Sequence, residues 1–136
     1  MRVFLDTNVI VSAVATRGLC ADVMREILVR HQLVVSEDLL EEIRTVLRAK
    51  VAVPAETVSD LIHLLRDGAV VSNPAPFAAL PIAGVADRAL VSSAINGQAD
   101  LFVTGDRELL ALTRTGHMEI VSPRIFWERA KNLSNK

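Results

Sequence analysis

Arg2-Val3-Phe4-Leu5-Asp6 opens the chain: a short, mostly apolar run that stops at an acid. Four residues of this kind read as a strand, and the order of the segments after it decides the fold. A helical segment runs from about Val9 to Ala15, Arg17-Gly18 breaks it, and Ala21 to Arg30 is a second amphipathic helix. Leu33-Val34-Val35 is another short apolar run, closed by Ser36, a good helix N-cap. Glu37 to Lys50 is a third helix. Pro54, placed for a first helical turn, opens a fourth that runs to Arg66 and is ended by Asp67-Gly68. Ala69-Val70-Val71 is a third strand. The stretch from Asn73 to Gly84, with Pro74, Pro76 and Pro81, is the longest loop. Val85 to Asn96 is helical with Gly97 as its cap, and Leu101-Phe102-Val103-Thr104 is the clearest strand. Asp106 to Leu112 is a helix and Met118 to Val121 a strand. Ser122-Pro123 starts a last helix that ends near Lys131, leaving residues 132–136 as a frayed tail. Strands alternate with helices throughout, and each strand is a continuous apolar run. That pattern predicts an α/β fold over residues 1–136, one domain with a mostly parallel sheet covered by helices on both faces.

Composition agrees and excludes other classes. At 136 residues with 51% hydrophobic side chains, the chain is long enough for one core and too apolar for disorder. Fifteen Lys and Arg face sixteen Asp and Glu, so no basic excess draws nucleic acid by net charge. Aromatics at 4% argue against a base-stacking platform. The lone Cys20 makes no internal disulfide, which fits a reducing cytoplasm and a small apolar packing role. Asp6 and Asn8 interrupt a start that otherwise mimics a signal peptide, and no run reaches the length of a membrane span.

The acids carry the chemistry. In open parallel sheets, sites form at the carboxyl ends of strands. Two strands end in acids there, at Asp6 and, through Thr104-Gly105, at Asp106. Each acid alone also serves as a helix cap. On the third helix Leu39, Leu40, Ile43, Val46 and Leu47 make the apolar face. Glu42 sits roughly 100° from its centre, while Asp38 and Glu41 point further toward solvent. In the helix from Val85, the expected buried face is Ala86, Leu90, Val91, Ala94 and Ile95, with Asp87 near its middle. A carboxylate there needs either a partner or the free N–H groups of the first turn. Four carboxylates meeting at one sheet edge must be partly protonated or neutralised by a cation. Oxygen donors without a His or Cys cluster select Mg²⁺ or Mn²⁺. His31, His63 and His117 are scattered, with His31 at a helix end that favours a cation and His63 on a helix surface. An acid-held metal without a serine or cysteine nucleophile suits phosphoester hydrolysis.

These residues resemble the PIN-domain family of metal-dependent ribonucleases, most closely its bacterial and archaeal branch of toxins from toxin–antitoxin pairs. Val3-Phe4-Leu5-Asp6-Thr7-Asn8-Val9 resembles the first family motif. Ser36-Glu37-Asp38-Leu39-Leu40-Glu41-Glu42-Ile43 resembles the second, with its acid at Glu42. Asp87-Arg88-Ala89-Leu90 resembles the helix with the third acid, and Ala99 to Asp106 the last motif. The resemblance implies a three-layer α/β/α sandwich. It also implies that Asp6, Glu42, Asp87 and Asp106 hold Mg²⁺ or Mn²⁺, directly or through water, for RNA hydrolysis. Thr7, Asn8 and Thr104 would orient ligands or water, and Asp100, at the far end of its strand, would be structural. A homodimer and a small inhibitory antitoxin are further implications. One departure stands out: many relatives carry more acids before the third-motif aspartate, and Pro81-Ile82-Ala83-Gly84-Val85-Ala86 has none.

Other functions on an α/β scaffold fit less well. A phosphoacceptor domain needs a lysine at a late strand end, and Lys50, Lys131 and Lys136 are not at one. A dehalogenase-type phosphatase needs an aspartate where Asn8 stands. A PIN module that binds RNA or protein without cutting remains the alternative. Arg88 and Arg107, beside two proposed ligands, are candidate phosphate contacts. If four of the sixteen acids are neutralised in one pocket, twelve remain against fifteen bases, a surplus of three (15 − 12) that RNA tolerates.

Overall fold

The structure, a computed structural model, is described over residues 1–134. The chain runs β1 (Arg2–Leu5), α1 (Thr7–Ala15), α2 (Leu19–Arg30), β2 (Gln32–Ser36), α3 (Glu37–Ala49), α4 (Ala55–Arg66), β3 (Val70–Ser72), α5 (Val85–Asn96), β4 (Leu101–Val103), α6 (Arg107–Leu110), β5 (Arg114–Thr115), β6 (Met118–Val121) and α7 (Pro123–Ser134). The sheet has the order β3-β2-β1-β4-β6-β5, with every pairing parallel except β5 against β6. The α/β sandwich expected from the alternating pattern is therefore present.

Successive crossovers from β1 to β2 to β3 step in one direction, and those from β3 to β4 to β6 step in the other. Right-handed connections then place α1 to α4 on one face and α5 and α6 on the opposite one. The packing agrees: α1 meets α2 and α3, α3 meets α4, and α5 lies on β2 and β3. α7 returns to pack on α2. The direction reverses between β1 and β4, where Leu5 pairs with Val103. This switch point leaves a crevice at the carboxyl ends of the two central strands.

The strands are buried as predicted for a doubly covered sheet: Val3, Phe4, Leu5, Phe102 and Val103 are fully inaccessible. Phe4 and Phe102, register partners on β1 and β4, stack with ring centroids 5.2 Å apart. The loop before α5 is fixed to it rather than loose. Ala78 donates its N–H to Ser92 Oγ, Asn96 Nδ2 donates to the carbonyls of Asn73 and Pro76, and Ile82 enters the core. Gly97 passes against β2 and β3, where a Cβ would stand 2.5 Å from Val34 Cγ1 and 3.1 Å from Ser72 Cβ.

Several details differ from the sequence expectation. The helix expected from Asp106 to Leu112 is only Arg107–Leu110, because the chain turns into the antiparallel strand β5, whose two polar residues carry no strand pattern. α7 continues to Ser134, past the expected end at Lys131; residues 135–136 of the expected tail lie outside the described residues. On α5, Ala86 is exposed rather than buried, and Ser92 and Ser93 are fully buried beside Leu90, Val91 and Ala94. Ser93 tolerates this by donating to the Ala89 carbonyl at 2.8 Å. The surroundings of His31 work against the cation that a helix end favours: burial, with the nearby N-terminal amine, holds its pKa below the ordinary value, and its ring meets Phe126 edge-on. No helix among the described residues is long and apolar enough to cross a membrane.

Candidate metal-binding cleft

Asp6 is the first residue after β1 and the N-cap of α1. Its backbone N–H reaches across the switch point to the Val103 carbonyl at 2.9 Å. Its carboxylate is 5% exposed and takes hydrogen bonds from the Thr7 N–H at 2.7 Å, Thr104 Oγ1 at 2.7 Å and Asn8 Nδ2 at 3.4 Å. The Thr104 hydroxyl accepts in turn from the Asp106 N–H at 3.0 Å, and Asn8 Oδ1 accepts from the Gly105 N–H at 3.2 Å. Asn8 and Thr104 thus tie the end of β1 to the end of β4, while Thr7 contributes its backbone N–H to Asp6.

Asp106 caps α6, and its Oδ1 accepts from the N–H groups of Glu108 and Leu109. One carboxylate oxygen is committed to the cap, so its capping and its place at the cleft coexist. Asp87 lies in the first turn of α5 and is half-buried. Its Oδ2 stands 3.3 Å from where a Cβ on Gly84 would be, so the glycine leaves room for the carboxylate. Glu42 is half-buried on the shoulder of α3, as its angle on the helix predicts, while Asp38 and Glu41 are exposed.

These acids line one cleft of about 450 Å³, together with Thr7, Asn8, Val11, Ser12, Val46 and Lys50. Thr104 lies buried beneath it. Burial pushes the Asp6 carboxyl up to about 6, against the bonds from Thr104 and Thr7, and the charges of Asp87 and Glu42 push the same way. Burial also raises the Asp87 pKa, with further contributions from the charges of Asp106 and Glu108. The acids therefore feel one another, and a positive counter-charge in the cleft would relieve both shifts.

Arg88 and Arg107 are placed differently. Neither is among the residues that line the cleft, and neither joins an ion pair among the described residues. Lys50 is an addition that the strand-end pattern does not point to. It comes two steps of four residues after Glu42 along one helix face, and that spacing is the signal for it. Asp100 sits at the other end of the sheet and accepts the Arg2 N–H at 2.8 Å. A larger depression of about 720 Å³ lies there, lined by Met1, Arg2, Arg30, His31, Gln32, Gln98, Asp100 and His117; its cations are Arg2 and Arg30, and Asp100 is its single carboxylate, so it gathers no set of acids.

Among the described residues no three His, Cys, Asp or Glu side chains form a ready-made metal cage. The donor set still fits a hard divalent cation. It is all oxygen, it carries mutual repulsion that a cation relieves, and the Thr7 hydroxyl is buried in it with no hydrogen-bond partner. Mg²⁺ needs only one or two carboxylates and keeps several waters, so an open ring of acids suits it better than a closed cage.

A sequence profile of the PIN domain matches residues 2–108, and the chain belongs to the PIN domain family. No curated protein matches it. Among solved structures, the crystal structure of VapBC2 from Rickettsia felis, bound to a DNA fragment from their promoter, shares the fold with a TM-score of 0.60. The match covers 90% of this chain and 98% of that one at 17% identity.

Proposed function

We propose that this chain is a metal-dependent endoribonuclease and the toxin of a toxin–antitoxin pair, acting in the cytoplasm as a homodimer restrained by a small antitoxin. The observation that carries the reading is the convergence of Asp6, Glu42, Asp87 and Asp106 from four elements onto the switch-point cleft, with Asp6 and Asp87 shifted upward partly by their acidic neighbours. Membership of the PIN family supports nuclease chemistry, and the likeness to VapBC2 is consistent with a partner protein.

Asp6, Glu42, Asp87 and Asp106 would hold Mg²⁺ or Mn²⁺, directly or through water. When bound, the ion supplies an activated water and offsets the charge developing on the phosphate. The chain's own residues do the positioning. Thr104 and the Thr7 N–H fix the Asp6 carboxylate, and the α6 N–H groups fix one oxygen of Asp106. Arg88 and Arg107, which join no ion pair among the described residues, are available to phosphates. The test is cleavage of single-stranded and looped RNAs by purified protein with Mg²⁺ or Mn²⁺. Activity should vanish with chelator and in Asp6→Asn. A wild-type protein that cuts no RNA and arrests no growth on expression would refute the proposal.

The acid-free stretch before Asp87 favours a second reading, a PIN module that binds without cutting. Ala83 and Ala86 are exposed there, and Val85 is 66% exposed, so the chain presents apolar surface at this rim. Mn²⁺ binding separates the two readings, since a non-catalytic module requires none.

A further inference from the structure

The acidic cleft has one basic residue in its wall, Lys50, the C-cap of α3. Glu42, Val46 and Lys50 share one face of the helix and all line the cleft. At the helical rise, Lys50 stands about 12 Å along the axis from Glu42. It forms no ion pair among the described residues, in contrast to Arg44, which pairs with Glu41, and Arg66, which pairs with Glu37. Lys50 is thus an exposed basic residue at the C-terminal end of α3, in the wall of a cleft whose carboxylates include Glu42 two turns earlier on the same helix.

That separation matters for a polyanionic substrate. Carboxylates repel an approaching strand, and the cation that neutralises them acts only at the scissile phosphate. A fixed positive charge further along the cleft offers a neighbouring phosphate a favourable contact, and lysine binds phosphate as a point charge. We propose that Lys50 is a substrate-binding residue that holds the RNA phosphate flanking the scissile one. The inference rests on the nuclease reading and adds to it the end of the cleft along which the strand lies.

Two other roles for Lys50 make different predictions. A cation at a helix C-terminus complements the helix dipole, which would appear in stability. A tethered counter-ion for the acids would compete with metal. The experiment compares Lys50→Ala and Lys50→Arg with wild type, reading RNA cleavage in Mn²⁺ across a salt series, Mn²⁺ affinity by calorimetry and the melting temperature. Lys50→Ala should raise KM on the order of 10-fold while kcat falls far less. Its log–log salt dependence should be shallower by about 0.7, one single-strand phosphate contact. Lys50→Arg should restore most of both, with Mn²⁺ affinity and melting temperature unchanged. Unchanged KM and salt slope in Lys50→Ala, tighter Mn²⁺ binding, or a loss confined to stability would each overturn the inference while leaving the nuclease reading intact. A wild-type protein that does not cut RNA would overturn both.

Discussion

Thr104 donates a 2.7 Å hydrogen bond from its buried hydroxyl to Asp6, and the same oxygen accepts the Asp106 N–H at 3.0 Å. One side chain therefore sets the positions of two proposed metal-holding acids that are about a hundred residues apart in sequence but adjacent across the β1–β4 switch point. Thr104→Val keeps the volume and deletes both bonds. It should lower stability by about 1–2 kcal/mol, the usual result of leaving a buried partner unmatched. Metal affinity should fall roughly 10- to 100-fold, as when a supporting hydrogen bond to a ligand is lost. Calorimetry with Mn²⁺ and a denaturant melt on the same preparation check both numbers. Unchanged metal affinity would remove Thr104 from the site.

The Asp6 carboxyl gives the metal-free protein a distinctive pH dependence. Its folded pKa lies near 6 and its unfolded reference at 3.8, so the folded state binds the extra proton between those values. Stability should then be greatest below about pH 4 with respect to this group and fall as pH rises through 6. A gap of about two pH units corresponds to about 3 kcal/mol. Asp6→Asn has no such titration, so the stability of wild type relative to this variant should decline across that window in chelator. Saturating Mg²⁺ or Mn²⁺ should reverse the decline. A relative stability that stays flat from about pH 4 to 7 would show that Asp6 does not feel its burial.

Asp100 offers a control at the opposite end of the sheet. It belongs to the same sequence motif as Asp106, yet its carboxylate holds the Arg2 N–H. Asp100→Asn should destabilise the fold by about 1 kcal/mol, with RNA cleavage rate per folded molecule unchanged. Thermal melts and initial rates decide this, and a loss of activity exceeding the loss of folded protein would place Asp100 in the chemistry.

Gly97 tests the packing behind the site. Its backbone lies in a region open to any residue, so the constraint is space: a methyl group would meet Val34 and Ser72. Gly97→Ala should cost about 1–3 kcal/mol by overpacking. A melt at or above the wild-type value would mean that α5 and β2 separate easily.

Much of this architecture is legible from residues alone, and the exceptions have physical causes. The parallel sheet is readable in apolar runs such as Val3-Phe4-Leu5 and Leu101-Phe102-Val103, because strands buried on both faces cannot alternate. The shoulder position of Glu42 comes from helical periodicity. Asp87 is harder. Periodicity places it within a buried stripe, but α5 buries nearly its whole circumference from Ala89 to Ala94, while Val85 and Ala86 in its first turn are exposed. A helical wheel has no information about where a helix leaves its support. β5 is invisible in the sequence because Arg114-Thr115 pairs only through its neighbour β6. Lys50 is hidden from a reading of strand ends because it reaches the cleft from a helix end.

The most direct test of the central claim is calorimetric titration of the purified protein with Mn²⁺ near neutral to mildly alkaline pH, above the value of about 6 to which burial pushes the Asp6 carboxyl. Saturable binding should be seen, weakened roughly 10-fold or more in both Asp87→Asn and Asp106→Asn. No measurable binding at millimolar Mn²⁺, or binding indifferent to both substitutions, would contradict the account.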